Sequence, residues 1–232
     1  GWKVMDRFHF STAECFDNCP HRFKLRYVDN LDVIPTDDPQ NPLRVGTAIH
    51  TGAEKDLKTA VNDYLMSYPV IDDRHINEVI KMEHWIPKLK ELLPEGLHEV
   101  NFKNEVYEGT ADLLVPVQVE LTGKNHICDE CQEINCDWAY SGECELGKFT
   151  KPSEDTFDLY DFKYSNNIDH YMESRQLHVY KHYLQKTKGI FIRRMFFVFI
   201  PKVMIKQKKT ETLEQFRIRL KSELEQKEIK IK

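Results

Sequence analysis

The 232-residue sequence lacks the features that would direct it into or across a membrane. No apolar run approaches the roughly 20 residues of a membrane-spanning helix, and the longest, Met195 to Ile200, has the length of a strand. No basic region followed by an apolar stretch opens the chain, so no signal peptide is predicted. We therefore expect a cytoplasmic protein without membrane contact, in which the six cysteines do not form structural disulfides.

The motifs of several enzyme classes are also missing. There is no Gly-x-Ser-x-Gly nucleophile elbow, no glycine-rich phosphate loop and no His-Glu-x-x-His zinc helix. Without a nucleotide-binding loop, any ATP-driven translocation would have to come from a partner. The net charge of −5 gives no global attraction to nucleic acid. Residues 202–232 hold ten Lys/Arg and five Glu, which fits either contact with a phosphate backbone or a solvated helix of mixed charge.

The composition, 41% hydrophobic and 31% charged, is typical of a polar globular protein. Residues 1–232 are predicted to form a single domain, with an insertion at 122–155 that has little apolar periodicity. An α/β fold is expected, a central mixed sheet flanked by helices that carries its chemistry on one rim. The predicted elements are two short helices within 11–28, helices from Gly46 to Tyr68 and Asp73 to Leu93, strands at 97–107, 109–121 and 157–163, a helix from Asp169 to Gln185, a strand from Met195 to Ile205 and a helix from Thr210 to Lys227.

One stretch that points to chemistry is Asp158-Leu-Tyr-Asp-Phe-Lys163, at the end of a predicted strand. Asp161 and Lys163 flank one apolar residue, so alternation sends both side chains to the same face. A carboxylate and an ammonium placed there suit a divalent metal site that positions water against a phosphodiester. An ordinary solvated strand end fits the same three residues, so the rest of the chain has to decide.

Further candidates occur on neighbouring elements. Asp112, in Gly109-Thr-Ala-Asp112, lies on a strand expected to adjoin the 157–163 strand, where two carboxylates would form a hard-oxygen metal site. His50 starts a helix and could add an imidazole ligand. Glu54, one turn later, and Glu105, on the preceding strand, are second-tier candidates for another metal or a bridging water. Taken alone, each of these side chains is more typical of a surface, capping or packing role, and only their combination points to a site.

The ordered series of motifs resembles the RecB-type exonuclease branch of the PD-(D/E)XK nuclease superfamily. The resemblance covers about residues 11 to 200. The motifs that carry it are Cys19-Pro20-His-Arg-Phe23-Lys-Leu25-Arg-Tyr27, Gly46-x-x-x-His50, Gly109-x-x-Asp112, Asp161-x-Lys163 and Gln176-x-x-x-Tyr180.

This resemblance implies a restriction-endonuclease-like fold and metal-dependent cleavage of DNA. Lys163 would orient or activate the attacking water and offset charge on the phosphoryl oxygens. Gln176 and Tyr180, one turn apart on a helix, would contact the DNA strand. The implied ligands of Mg²⁺ or Mn²⁺ are His50, Asp112, Asp161 and the backbone carbonyl of Phe162.

The chain departs from this family pattern in its insertion. The spacing Cys128-x₂-Cys131-x₄-Cys136-x₇-Cys144 places four cysteines between the two aspartates, within 17 positions. In a reduced compartment such a cluster predicts a structural metal site. The four are contiguous, whereas cluster-bearing relatives typically place one ligand before the nuclease motifs and three after them. Zn²⁺ is therefore preferred, with an iron–sulfur cluster as the alternative.

Three interpretations follow. The first is a Mg²⁺- or Mn²⁺-dependent DNA exonuclease acting in recombination, repair or phage DNA processing, with a helicase or recombinase as a possible partner. The second is an inactive nuclease-like module that binds DNA or protein. The third, a zinc-organised interaction protein, leaves the ordered motifs unexplained. The presence of His50, Asp112, Asp161 and Lys163 together favours the first.

Overall fold

The computed structural model describes residues 7–31, 37–117 and 155–232. A run of helices is followed by three strands, then by helices, a long strand and a last helix, which is the order that the sequence predicts. The helices are α1 (Phe10–Asn18), α2 (Pro20–Phe23), a π-helical segment (Lys24–Val28), α3 (Pro42–Glu54), α4 (Leu57–Met66), α5 (Asp73–Leu92), α6 (Ile168–Met172), α7 (Gln176–Lys188) and α8 (Leu213–Glu225). The strands are β1 (Leu97–Lys103), β2 (Glu108–Pro116), β3 (Thr156–Tyr164), β4 (Phe191–Ile200) and β5 (Lys230–Ile231).

The five strands form one mixed sheet in the spatial order β1-β2-β3-β4-β5. The pairs β1–β2, β2–β3 and β4–β5 are antiparallel, whereas β3 and β4 are parallel. A parallel pair needs a crossover connection, and helices α6 and α7 supply it. The expectation of a mixed sheet flanked by helices is confirmed.

The sheet buries side chains on both faces. Along β4 the period-two alternation sends Val198 and Ile200 towards the layer formed by α3, α4, α5 and α8. Phe197 and Phe199 point to the opposite face, where they pack with α6 and α7. All four side chains are buried. Because the two faces are covered by separate helical layers, polar groups at the end of β3 lie between them, at the rim of the sheet.

Two predicted helices are each divided in the structure. The helix predicted from Gly46 to Tyr68 breaks between α3 and α4, because Asp56 caps a new helix by accepting a hydrogen bond from the Thr59 amide at 2.8 Å. The helix predicted from Asp169 to Gln185 is likewise two helices, α6 and α7. Ser174 lies between them and accepts a hydrogen bond from the Gln176 amide.

Strand bounds also differ from the prediction. The last long strand begins at Phe191 rather than Met195 and ends at Ile200, five residues earlier than predicted. The segment after Ile200 leaves the sheet because Asn166 holds Lys202 by both backbone groups, accepting from its amide at 2.8 Å and donating to its carbonyl at 3.0 Å. The edge strand β5, two residues long, was not predicted.

Helix α3 is fixed at both its start and its buried face. Asn41 caps it by accepting a hydrogen bond from the Leu43 amide at 3.0 Å, and Pro42 occupies the first turn, where its missing N–H costs nothing. Gly52 lies against Ile86 of α5 so closely that no Cβ fits between them. This contact sets the approach of α3 to the rest of the fold and places His50 at the sheet rim.

The basic C-terminal region makes internal contacts. Arg219 forms a two-pronged ion pair with Glu211, at 2.8 and 2.7 Å, and Arg217 pairs with Asp73 of α5 at 2.9 Å. Helix α8 also buries the side chain of Leu220 completely. These contacts fit the interpretation of a mixed-charge helix that is part of the fold.

The predicted insertion at 122–155 lies, except for Asp155, outside the described residues. So do its four candidate metal ligands, Cys128, Cys131, Cys136 and Cys144, and their arrangement stays a prediction. Cys15 and Cys19 are described and carry free thiols. None of the described helices combines the length and apolar composition required to cross a lipid bilayer.

Candidate metal and catalytic site

The site begins where β2 and β3 stop forming a regular ladder. Their pairing runs from Pro116↔Phe157 to Leu113↔Tyr160. Beyond Leu113 a side chain of β2 bonds to the backbone of β3: Asp112 Oδ2 accepts a hydrogen bond from the Phe162 amide at 2.6 Å. The same register sets Asp112 opposite Asp161. Two carboxylates thus face each other at the rim, as the sequence predicts.

Asp161 and Lys163 project to the same face of β3, as their spacing predicts. Asp161 is only 2% exposed, and the Lys163 ammonium lies 2.6 Å from its Oδ2. The buried Oδ2 therefore has the Lys163 ammonium as its partner, although the contact is an ion pair outside regular hydrogen-bond geometry. A buried carboxylate needs such a positive charge close by, because an unpaired buried charge is costly.

His50 reaches the same rim from α3. Its Nδ1 lies 3.4 Å from Asp112 Oδ1 and 3.7 Å from Glu99 Oε1. One ligand atom from each of His50, Glu99 and Asp112 falls within 4.8 Å of the other two. The His50 ring packs edge-on against Phe162, with 5.5 Å between the ring centroids. An imidazole and two carboxylates from three separate elements therefore converge on one point.

Glu99 was not among the predicted site residues. The sequence analysis placed the hairpin turn at Glu108-Gly109. In the structure β1 and β2 pair Lys103 with Glu108 and His98 with Leu113. This register sets Glu99 opposite Asp112. Glu105, the acid proposed on this strand, is exposed at the turn. A hairpin turn placed at 104–107 would have identified Glu99 from the register alone.

The backbone at Glu99 is unusual. Its φ is +50°, in the left-handed region that costs a side-chain-bearing residue about 1–2 kcal/mol. Strain of this kind persists where the surrounding structure imposes it, often at functional sites. Here it accompanies the approach of the Glu99 carboxylate to His50.

The surroundings of Asp161 and of His50 raise the pKa of both groups. Burial raises the pKa of Asp161 to about 7, and the neighbouring Asp112 carboxylate adds to this increase. Burial by itself would lower the pKa of His50, but the Asp112 carboxylate outweighs it and the pKa rises to about 10, with Glu99 contributing. The rim therefore carries an excess of negative charge, which His50 offsets as a cation when no metal is bound.

This donor set suits a divalent cation. Carboxylate oxygens are the ligands that Mg²⁺ and Mn²⁺ prefer, and one imidazole is compatible with Mn²⁺. The Asp112 charge that helps to raise the pKa of the buried Asp161 is the repulsion that a bound cation would relieve.

The predicted strand contacts, Gln176 and Tyr180, also lie at the rim. Gln176 Nε2 donates to Asp161 Oδ1 at 3.4 Å and to the Tyr180 hydroxyl at 3.1 Å. Burial, with the Asp161 charge adding to it, raises the pKa of Tyr180. Gln176 therefore contacts the candidate catalytic carboxylate and Tyr180 contacts Gln176, and contact of either residue with DNA stays a prediction.

An open cleft of about 570 Å³ borders the rim. One wall is the exposed face of α3, and the other is formed by the end of β3 with Tyr171 and Lys202. Glu54, a second-tier candidate, lies on this cleft rather than at the metal-binding point. The cleft gives a substrate direct access to Lys163 and to the carboxylates behind it.

The comparison with protein families identifies the superfamily. The sequence profile of the PD-(D/E)XK nuclease superfamily matches residues 7–231. A comparison with curated protein sequences finds no significant match.

Proposed function

Because the chain belongs to the PD-(D/E)XK nuclease superfamily, we propose that it is a divalent-metal-dependent deoxyribonuclease. The observation that carries this proposal is the convergence of Asp112, Asp161 and Lys163 at one rim. A protein that only binds DNA has no need of a buried Asp–Lys pair beside further carboxylates at the edge of an open cleft.

The proposed roles follow from the contacts. Asp112, Glu99, His50 and Asp161 would hold Mg²⁺ or Mn²⁺, together with the backbone carbonyl of Phe162. Such a cation supplies Lewis-acid stabilisation of charge on the phosphoryl oxygens and lowers the pKa of bound water. The metal would displace the proton that His50 carries in the free protein, because the ligand form of imidazole is neutral.

Lys163 supplies a second positive charge. Its ammonium is held between Asp161 and two aromatic rings, 5.2 Å from the Tyr171 centroid and 5.8 Å from that of Phe197, and cation–π attraction to these rings helps to hold it in place. Since Lys163 also lines the cleft, it can donate a hydrogen bond to the attacking water or to a phosphoryl oxygen. Gln176 steadies the Asp161 carboxylate by donating a hydrogen bond to Oδ1.

The finer assignment rests on the motif order. We assign the chain to the RecB-type branch and propose exonuclease action in recombination, repair or phage DNA processing in the cytoplasm, with a helicase or recombinase as partner. Cys128, Cys131, Cys136 and Cys144 are proposed to bind Zn²⁺, with an iron–sulfur cluster as the alternative.

The test is a cleavage assay with purified protein on end-labelled single-stranded DNA, end-labelled duplex and closed circles, in Mg²⁺, Mn²⁺ or EDTA. We expect degradation of the linear substrates only with metal, and sparing of circles if the enzyme needs an end. Cleavage of circles would make it an endonuclease. If the protein binds DNA but does not cleave it under any of these conditions, the protein is a nuclease-like binding module rather than an enzyme.

A further inference from the structure

Gly46 occupies a position in α3 where the fold does not require glycine. It lies inside the helix, one turn before His50 and on the same face. A Cβ built on Gly46 meets no atom within 4 Å, in contrast to Gly52 of the same helix. Glycine within a helix lowers stability relative to alanine. The cost at Gly46 is therefore not offset by any internal contact in the described structure.

The space that this Cβ would enter is the cleft, since Gly46 and Thr47 line it. The absence of a side chain keeps the α3 wall flat along the path that leads to His50. A flat wall of exposed helix allows close approach of an extended backbone. A volume of about 570 Å³ is the size of a small-ligand site, so the cleft takes a short stretch of one strand rather than the full width of a duplex.

Lys202 stands across the cleft from this wall. Its backbone is held at both groups by Asn166, and its ammonium lies 5.4 Å from the centroid of the Tyr164 ring. Within the described part of the chain no carboxylate forms an ion pair with Lys202. A positioned and unneutralised ammonium beside a phosphodiesterase centre is suited to a phosphate group.

We infer that the cleft between Gly46 and Lys202 seats one strand of DNA, with its sugar–phosphate backbone against Gly46 and a phosphate next to the scissile one on the Lys202 ammonium. This inference rests on the proposed nuclease function and adds the substrate form, a single strand, and two positioning residues. Lys163 acts on the scissile phosphate itself, whereas Lys202 holds its neighbour and takes no part in the chemistry.

The first test asks whether glycine at position 46 serves the stability of the fold or the binding of the DNA strand. In Gly46→Ala the thermal midpoint should rise by about 1–4 °C, because alanine favours the helix and meets nothing. The affinity for a short single-stranded oligonucleotide, measured by fluorescence anisotropy in Ca²⁺ with product analysis to verify that it stays intact, should fall at least about fivefold. A lower midpoint would show that the glycine serves the fold, and unchanged affinity would show that no strand passes there. Either result overturns the inference.

The second test measures, from the salt dependence of DNA affinity, whether Lys202 contacts one phosphate group. In Lys202→Ala the slope of log affinity against log salt should fall by about 0.7, the value for one phosphate on a single strand, and KM should rise with kcat retained. Lys202→Arg should restore the slope, and Lys188→Ala, an exposed lysine at the end of α7, should leave it unchanged. A blunt duplex should compete less well than a single strand of equal length.

The outcomes distinguish this inference from the nuclease proposal. If the wild-type protein cleaves DNA while Lys202→Ala keeps the full salt slope, the strand path is wrong and the nuclease assignment stands. If the wild-type protein neither cleaves nor binds DNA, both are wrong.

Discussion

Gly52→Ala should destabilise the protein by overpacking the contact between α3 and α5. A Cβ at Gly52 would lie 2.7 and 2.8 Å from Ile86 Cγ1 and Cγ2, and nearer still to Cδ1. Ile86 is fully buried and cannot swing into solvent. Inserting a methyl group into such a contact costs about 1–3 kcal/mol, which lowers the thermal midpoint by about 2–12 °C in a chain of this size.

Urea denaturation followed by tryptophan fluorescence provides the assay, since Trp85 is buried next to Ile86 in α5. Ile86→Ala alone should cost about 2–5 kcal/mol through the cavity it leaves. The double variant Gly52→Ala/Ile86→Ala should be more stable than the sum of the two losses predicts, by about 1 kcal/mol or more. Gly46→Ala, in the same helix but facing open space, is the matched control. A neutral Gly52→Ala, or strict additivity in the double variant, would refute the packing argument.

Three further predictions concern other parts of the molecule. Arg193→Ala should lower the free energy of unfolding by about 1–3 kcal/mol in urea titrations, because it strips Asp158, a buried carboxylate, of a two-pronged pair at 3.0 and 2.7 Å; an unchanged midpoint would contradict this. Arg219 lowers the pKa of Glu211 from its ordinary 4.5 to about 2, so the stability that Glu211 contributes is complete above about pH 4.5 and is lost as the pH falls towards 2. Glu211→Gln should therefore be less stable than wild type at neutral pH and equal to it near pH 2, and a difference that persists there would rule out the linkage. Cys131→Ser should lower bound zinc measured by elemental analysis, whereas a full equivalent of zinc in the variant would exclude a four-cysteine site.

The parts of the site that follow from local spacing could be predicted. Alternation along β3 is enough to bring Asp161 and Lys163 to one face, and Asp112 does lie on the neighbouring strand, as expected. The turn before Asp112 is at 104–107 rather than at Glu108-Gly109, so Asp112 lies within β2 and not just past a turn. The helix and strand types were also predictable, because apolar periodicity changes clearly from helical to alternating near Gly96.

The remainder depends on register and tertiary contacts. Glu99 becomes visible only when the hairpin turn is placed correctly, since a shift in the turn changes every cross-strand partner. The break between α3 and α4 depends on Asp56 acting as a cap inside an otherwise continuous helical pattern. The hydrogen bond from Gln176 to Asp161 requires the packing of α7 beneath the sheet rim, which no local pattern contains.

The most direct test of the central claim is single-turnover cleavage of end-labelled DNA in Mn²⁺ by matched variants. Asp161→Asn and Lys163→Ala should each lower the rate by at least about a hundredfold while their unfolding midpoints show that they remain folded. Asp63→Asn and Lys188→Ala, which change exposed residues on α4 and α7, should cleave at the wild-type rate. If Asp161→Asn or Lys163→Ala keeps the wild-type rate, the rim of β2 and β3 is not the catalytic centre.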